Sequence, residues 1–175
     1  IVYEGAAAQQ ETQMVTRSIL QGLLSPVLRE RVNMVNAELA AETRGITVTE
    51  GKVKGEGRMN RVAVRIGAGK ESFTAAGMVT PDNQPHITEV EGYQFDTIPA
   101  PYMIFARNDD KPGMIGQIGT LLGAGHVNIA TMQVSRKKKE GTAMMVLTVD
   151  SAVDGATLEI VRNLDGISDV QLVRL

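Results

Sequence analysis

The chain reads as an α+β protein in two successive domains, helices packed on a largely antiparallel sheet followed by a ferredoxin-like βαββαβ unit. Three observations predict this. Apolar residues recur at helical spacing up to Arg44, and the period changes to two after Gly45. The run Thr97-Ile98-Pro99-Ala100-Pro101 then separates that region from a strand–helix–strand–strand–helix–strand order. Two prolines in three residues disfavour helix and remove two ladder donors, so the boundary is placed near residue 100, with domains over 1–98 and 101–175.

Ile1 to Glu4 is a short apolar start of strand character. From Thr12, the residues Val15, Ile19, Leu20, Leu23 and Leu24 predict a helix that stops at Ser25-Pro26. Leu28, Val32, Val35 and Leu39 continue as an i, i+4, i+7, i+11 stripe. Arg44 then suits a last turn and Gly45 a left-handed cap. A second helix is therefore expected within Val27 to Arg44, unless Asn36 caps a fresh start. Ile46 and Val48, then Val62, Val64 and Ile66, alternate with polar or small residues as strands do. Glycines at Gly51 to Gly57 and Gly67 to Gly69 mark the turns. Strands are expected again at Ser72 to Val79 and Ile87 to Val90, around a loop holding Pro81, Asp82, Asn83 and Pro85. The second half predicts strand 102–107, helix 113–124, strands 127–136 and 142–150, helix 154–163 and strand 167–175.

Composition removes several function classes. With 43% hydrophobic and 22% charged residues, the 175-residue chain has an ordinary globular profile. Lys and Arg total 18 against 20 Asp and Glu, so no positive field attracts a phosphate backbone. Aromatics at 3% leave few platforms for unstacked bases, and nucleic acid is not an expected partner. No apolar run is long enough to cross a bilayer. The absence of cysteine excludes a disulfide framework and thiolate chemistry and fits a reducing cytoplasm. The opening residue Ile1 suggests a piece of a longer polypeptide.

The distinctive stretch runs from Arg107 through Asn108-Asp109-Asp110-Lys111-Pro112-Gly113 to Gly119, joining the first strand of the βαββαβ unit to its first helix. Pro112 preorganises the turn and Gly113 lets backbone approach a ligand. The helix behind it offers free N–H groups to a carboxylate or phosphate. Asn108 and Asp110 are two apart on an extended segment and supply a donor, an acceptor and a negative charge, the mixture a zwitterionic amino acid needs. Alternatively, Asp110 caps the helix and Asn108 closes a turn. Gly113, Gly116, Gly119 and Gly123 share one side of the helix at a cost in helix propensity, which close packing on its own sheet, a partner helix or a ligand would repay. Asn128 opens the next strand, where it either reads a ligand across a subunit interface or completes the helix-to-strand turn. Arg136-Lys137-Lys138-Lys139-Glu140-Gly141 reads as a solvated hairpin tip. His86 and His126 are the only imidazoles, 40 positions apart, so a metal site or histidine dyad is not expected. No nucleophile elbow or phosphate loop occurs, and no catalytic residue is assigned. Met144 and Met145 read as adaptable core.

From Pro101-Tyr102-Met103-Ile104-Phe105 through Asp110-Lys111-Pro112-Gly113 and Val127-Asn128-Ile129-Ala130-Thr131-Met132-Gln133-Val134, the second half resembles an ACT domain, an amino-acid-sensing module. The first half is similar to the intervening, allosteric substrate-binding domain of D-3-phosphoglycerate dehydrogenases. It matches at Leu20-Gln21-Gly22-Leu23-Leu24, Val32-Asn33-Met34-Val35-Asn36-Ala37 and Glu91-Gly92-Tyr93-Gln94-Phe95-Asp96. The resemblance implies a cytoplasmic parent that oxidises 3-phosphoglycerate with NAD in serine synthesis, its catalytic domains lying upstream. This segment would be its regulatory, oligomerising end. It also implies L-serine as feedback effector at an interface of two ACT domains. Asn108, Asp110 and Gly113 would come from one copy and Asn128 from the other, with the carboxylate at the helix start and the ammonium and hydroxyl on side-chain oxygens and amides. A serine-insensitive assembly module of the same enzyme, or the accessory chain of an L-serine dehydratase, are the alternatives. Serine-sensitive relatives often carry an aromatic or imidazole side chain where Asn108 stands.

Overall fold

The computed structural model describes residues 1–54, 60–69, 71–138 and 141–175. They group into two units, 1–79 and 80–175.

In the first unit, β1 (Val2–Glu4) leads through a 3-10 turn into α1 (Gln13–Leu24), followed by α2 (Ala37–Glu42), β2 (Gly51–Val53), β3 (Arg61–Ala68) and β4 (Glu71–Val79). The strand order is β2-β1-β3-β4; β1 runs parallel to β2 and antiparallel to β3. Leu20 and Leu24 of α1 pack on Val32, Ala37, Ala40 and Ala41, and Arg17 ties the two helices through Glu38. Tyr3 is fully buried, its hydroxyl 2.7 Å from the Thr16 hydroxyl. Thr12 and Thr16 both donate to the Glu50 carboxylate. With Thr16 donating onward, the Tyr3 O–H donates to Thr16, and every proton in the relay has an acceptor. The expected α1 and β1 are present, and Gly45 adopts the left-handed conformation at φ 69°.

Two expectations here need correction. The apolar stripe of the second helix fails, because Val35 is 89% and Leu39 62% exposed. Asn33 and Asn36 bond each other's backbone N–H groups and hold the chain in a turn. The helix therefore begins only at Ala37 and buries its alanine face. Asn36 does occupy the cap position, with its side chain turned back on the turn rather than onto the helix. Ile46 and Val48 are not in a strand and both are exposed. The strand forms at Gly51–Val53 instead, inside the expected glycine turn, where Gly51 donates to the Ile1 carbonyl and the terminal ammonium bonds the Thr49 carbonyl. The remainder of that expected turn, Gly55 to Gly57, lies outside the described residues.

The second unit opens with the hairpin β5 (Pro85–Val90) and β6 (Tyr93–Thr97), whose turn is built on Glu91 and Gly92 at φ 52° and 78°. Positive φ at both turn positions matches the twist of the strands it joins. β7 (Tyr102–Asp109), α3 (Met114–Ala124), β8 (Ile129–Arg136), β9 (Thr142–Val149), α4 (Gly155–Arg162) and β10 (Ile167–Arg174) follow, as the sequence predicts. The sheet order β10-β7-β9-β8 is antiparallel throughout, the ferredoxin-like arrangement. On its helical face, Ile104, Ala106, Met145, Leu147 and Val170 pack against Met114, Ile118 and Leu122 of α3 and Leu158 and Val161 of α4. On the other face, Met103, Met144 and Val146 meet Val90, Tyr93 and Phe95 of the hairpin. β9 is thus covered on both sides, which explains its unbroken apolar run from Ala143 to Leu147.

The glycines of α3 correct a third expectation, that they pack closely on the sheet. A Cβ at Gly116, Gly119 or Gly123 meets nothing within 4 Å, whereas one at Gly125 would meet the Thr157 side chain at 2.7 Å. The close approach that requires glycine is therefore at the end of the helix. The hairpin tip after Arg136 is as expected at its described ends, and Lys139 and Glu140 lie outside the described residues.

Candidate functional site

Asn108 is the penultimate residue of β7. Side chains alternate along a strand, so it shares the helical face with Ile104 and Ala106. It is 3% exposed. Its amide nitrogen donates to the Asp109 carbonyl at 2.6 Å, and its Oδ1 is buried with no hydrogen-bond partner among the described residues. Gly113 occupies the N-cap position of α3 at φ 94°, a left-handed conformation suited to glycine, and carries no side chain to cap the helix. The first N–H groups of α3 are thus left to face an anion.

Asp110 does not cap α3. Its backbone N–H donates to the Gly141 carbonyl at 2.8 Å, and its Oδ2 accepts from Arg136 at 2.9 Å. The two adjacent acids diverge, since Asp109 lies 3.6 Å from Lys111. Asn108, Asp110 and Gly113 therefore gather at one end of the sheet, with a buried acceptor, a carboxylate and uncapped helix amides. That combination suits a small ligand carrying both an ammonium and a carboxylate.

Asn128 is not among them. It directly precedes β8, is exposed, and bonds Asp150 through its side chain and its carbonyl. β8 begins opposite Val149 and ends with Arg136 opposite Ala143, the residue that Asn108 also faces. Asn128 and the Asn108 end are thus separated by the length of β8, roughly 25 Å at the usual strand rise. Among the described residues, β8 has a hydrogen-bonded strand on one side only.

The arginine that holds Asp110 was not recognisable as a site residue from the sequence, where Arg136 opens a run read as a solvated tip. The alternation Met132, Val134, Arg136 was the available signal, since it places all three on one face of β8. Among the described residues, no three His, Cys, Asp or Glu side chains stand close enough to hold a metal, and no helix is long and apolar enough to cross a membrane. His86 is engaged by Asp96.

Residues 1–91 match the family model of the D-3-phosphoglycerate dehydrogenase intervening domain, and residues 102–166 match that of the ACT domain. The chain is 34% identical over 175 residues to the D-3-phosphoglycerate dehydrogenase of Methanocaldococcus jannaschii, covering 100% of this chain and 33% of that protein. It is 35% identical over 176 residues to the enzyme of the same name from Bacillus subtilis, covering 100% and 34% respectively. The chain therefore spans about a third of the length of these relatives. Among solved structures, the ACT domain of the GTP pyrophosphokinase of Chlorobium tepidum aligns over 41% of this chain and 95% of its own length, with 22% identity and a TM-score of 0.34.

Proposed function

We propose that the chain, which belongs to the family of the D-3-phosphoglycerate dehydrogenase intervening domain and carries an ACT domain behind it, is a regulatory and assembly segment binding L-serine between two copies of itself. In this reading, the parent enzyme oxidises 3-phosphoglycerate with NAD on upstream domains and works in the cytoplasm. The intervening domain extends to residue 98, so that its last hairpin is the one resting on the ACT sheet.

One observation carries the two-copy reading. Asn128 lies a strand length from Asn108, Asp110 and Gly113, and the strand between them is at the sheet edge. Antiparallel pairing of two β8 edges about a two-fold axis brings the start of each strand to the end of the other. Asn128 of a second copy then reaches the Asp110 end of the first, and two equivalent sites form. The ligand's ammonium and hydroxyl meet Asp110, the buried Oδ1 of Asn108 and the second copy's Asn128 amide, while its carboxylate faces the start of α3. Serine regulates in this scheme by binding one arrangement of the two copies better than another, the only way a ligand shifts such an equilibrium.

Titration calorimetry of the chain with L-serine, using glycine and D-serine as controls, tests the proposal. Selective heat from L-serine at one site per chain is expected. No binding by a folded, dimeric chain leaves the serine-insensitive assembly module, which the internal Asn108–Asp109 hydrogen bond favours.

A further inference from the structure

Three residues stand side by side across the sheet where α3 begins. Asn108 on β7 faces Ala143 on β9, and Ala143 faces Arg136 on β8. The row lies on the helical face, one step beyond Ala106, Met145 and Val134. Its outer members are two strand spacings apart, roughly 10 Å. The central residue, Ala143, contributes only a methyl group between two polar ends. One end is the buried Oδ1 of Asn108, without a partner among the described residues; the other is the Arg136 guanidinium, held on Asp110.

We infer that Arg136 reads the carboxylate of the bound amino acid and so determines which ligands the site accepts. This rests on the proposed effector site and deepens it. In the free chain, Arg136 and Asp110 neutralise each other at 2.9 Å. A zwitterion inserted between them exchanges one ion pair for two. Its carboxylate takes the planar guanidinium fork together with the uncapped amides of α3, and its ammonium takes Asp110 and the Asn108 oxygen. Neither side chain is left unpaired, and the net charge of the site does not change. A ligand with a neutral carboxyl group separates the pair and strands Arg136, so the site selects free α-amino acids over their amides and esters.

The test compares L-serine with L-serinamide by calorimetry at about pH 6, where both ammonium groups remain protonated. The wild-type chain is compared with R136Q and R136K, whose folding is checked by circular dichroism. Wild type is expected to prefer L-serine at least tenfold. R136Q should lose roughly 10- to 100-fold in L-serine affinity while its serinamide affinity stays the same, so that the preference collapses. R136K, which keeps the charge without the fork, should fall between. An R136Q chain that retains the wild-type preference overturns the role of Arg136 and leaves the effector site standing. A wild-type chain that binds no L-serine overturns both.

Discussion

A buried amide oxygen without a donor destabilises a fold, and among the described residues the Asn108 Oδ1 near the start of α3 meets none. Asp110, two residues on, is already paired with Arg136, so one half of the proposed site is preorganised. A second residue-scale feature bears on stability rather than binding. The Thr16 hydroxyl, assisted by that of Thr12, holds the Glu50 carboxyl below its ordinary pKa. The stabilisation this gives is complete above the unfolded carboxylate value, about 4.3, and is lost as pH falls through the lower folded value. Urea unfolding at pH 7 and about pH 3 should therefore show a smaller acid loss for E50Q than for wild type. Equal losses would remove Glu50 from the account. The places of Asn108 and Asp110 at a strand-to-helix turn were legible in the sequence, because Pro112-Gly113 marks where β7 gives way to α3. Arg136 and Ala143 were not, because their places beside Asn108 depend on strand register, which the pattern along any one strand does not specify.

Among the elements, the hairpin β5–β6 contributes most to the second unit beyond the βαββαβ core. Phe95, Tyr93 and Val90 cover the helix-free face of the sheet. The Tyr93 hydroxyl lies 2.9 Å from Thr142, Lys137 stands 4.5 Å over the Tyr93 ring, and Arg107 reaches Glu91 in the turn. Gln133 also bonds both backbone groups of Asp96. These contacts fasten the hairpin near the end of the sheet that carries Asn108, with Arg107 and Asn108 consecutive on β7 and facing opposite sides. Removing a packed aromatic ring leaves a cavity, so F95A should lower unfolding free energy by about 3 kcal/mol. A loss under about 0.5 kcal/mol would mean the hairpin does not pack on the sheet in solution. Periodicity predicted the βαββαβ elements because each has either one apolar face or, in β9, a short apolar run buried on both faces, and each ends at a clear stop. It failed for α2, where hydrogen bonds from Asn33 and Asn36 prevail over an apolar stripe, and for β2, whose pairing is set by the distant Ile1.

At the scale of the whole molecule, the proposed site depends on a second copy. One chain holds the acceptor, the carboxylate and the helix start at one end of β8 and Asn128 at the other, so the proposed site draws its residues from two chains. The measurement that tests this most directly mixes two disabled variants, D110A and N128A. Each alone should bind L-serine weakly, by roughly tenfold or more, because each lacks a polar partner in every site. In a mixed dimer, one site combines the intact Asp110 of one chain with the intact Asn128 of the other. Calorimetry of the mixture should then recover L-serine binding at wild-type affinity in one site of each mixed dimer. A mixture no better than its components, in chains shown to exchange partners, would contradict a site shared between two copies.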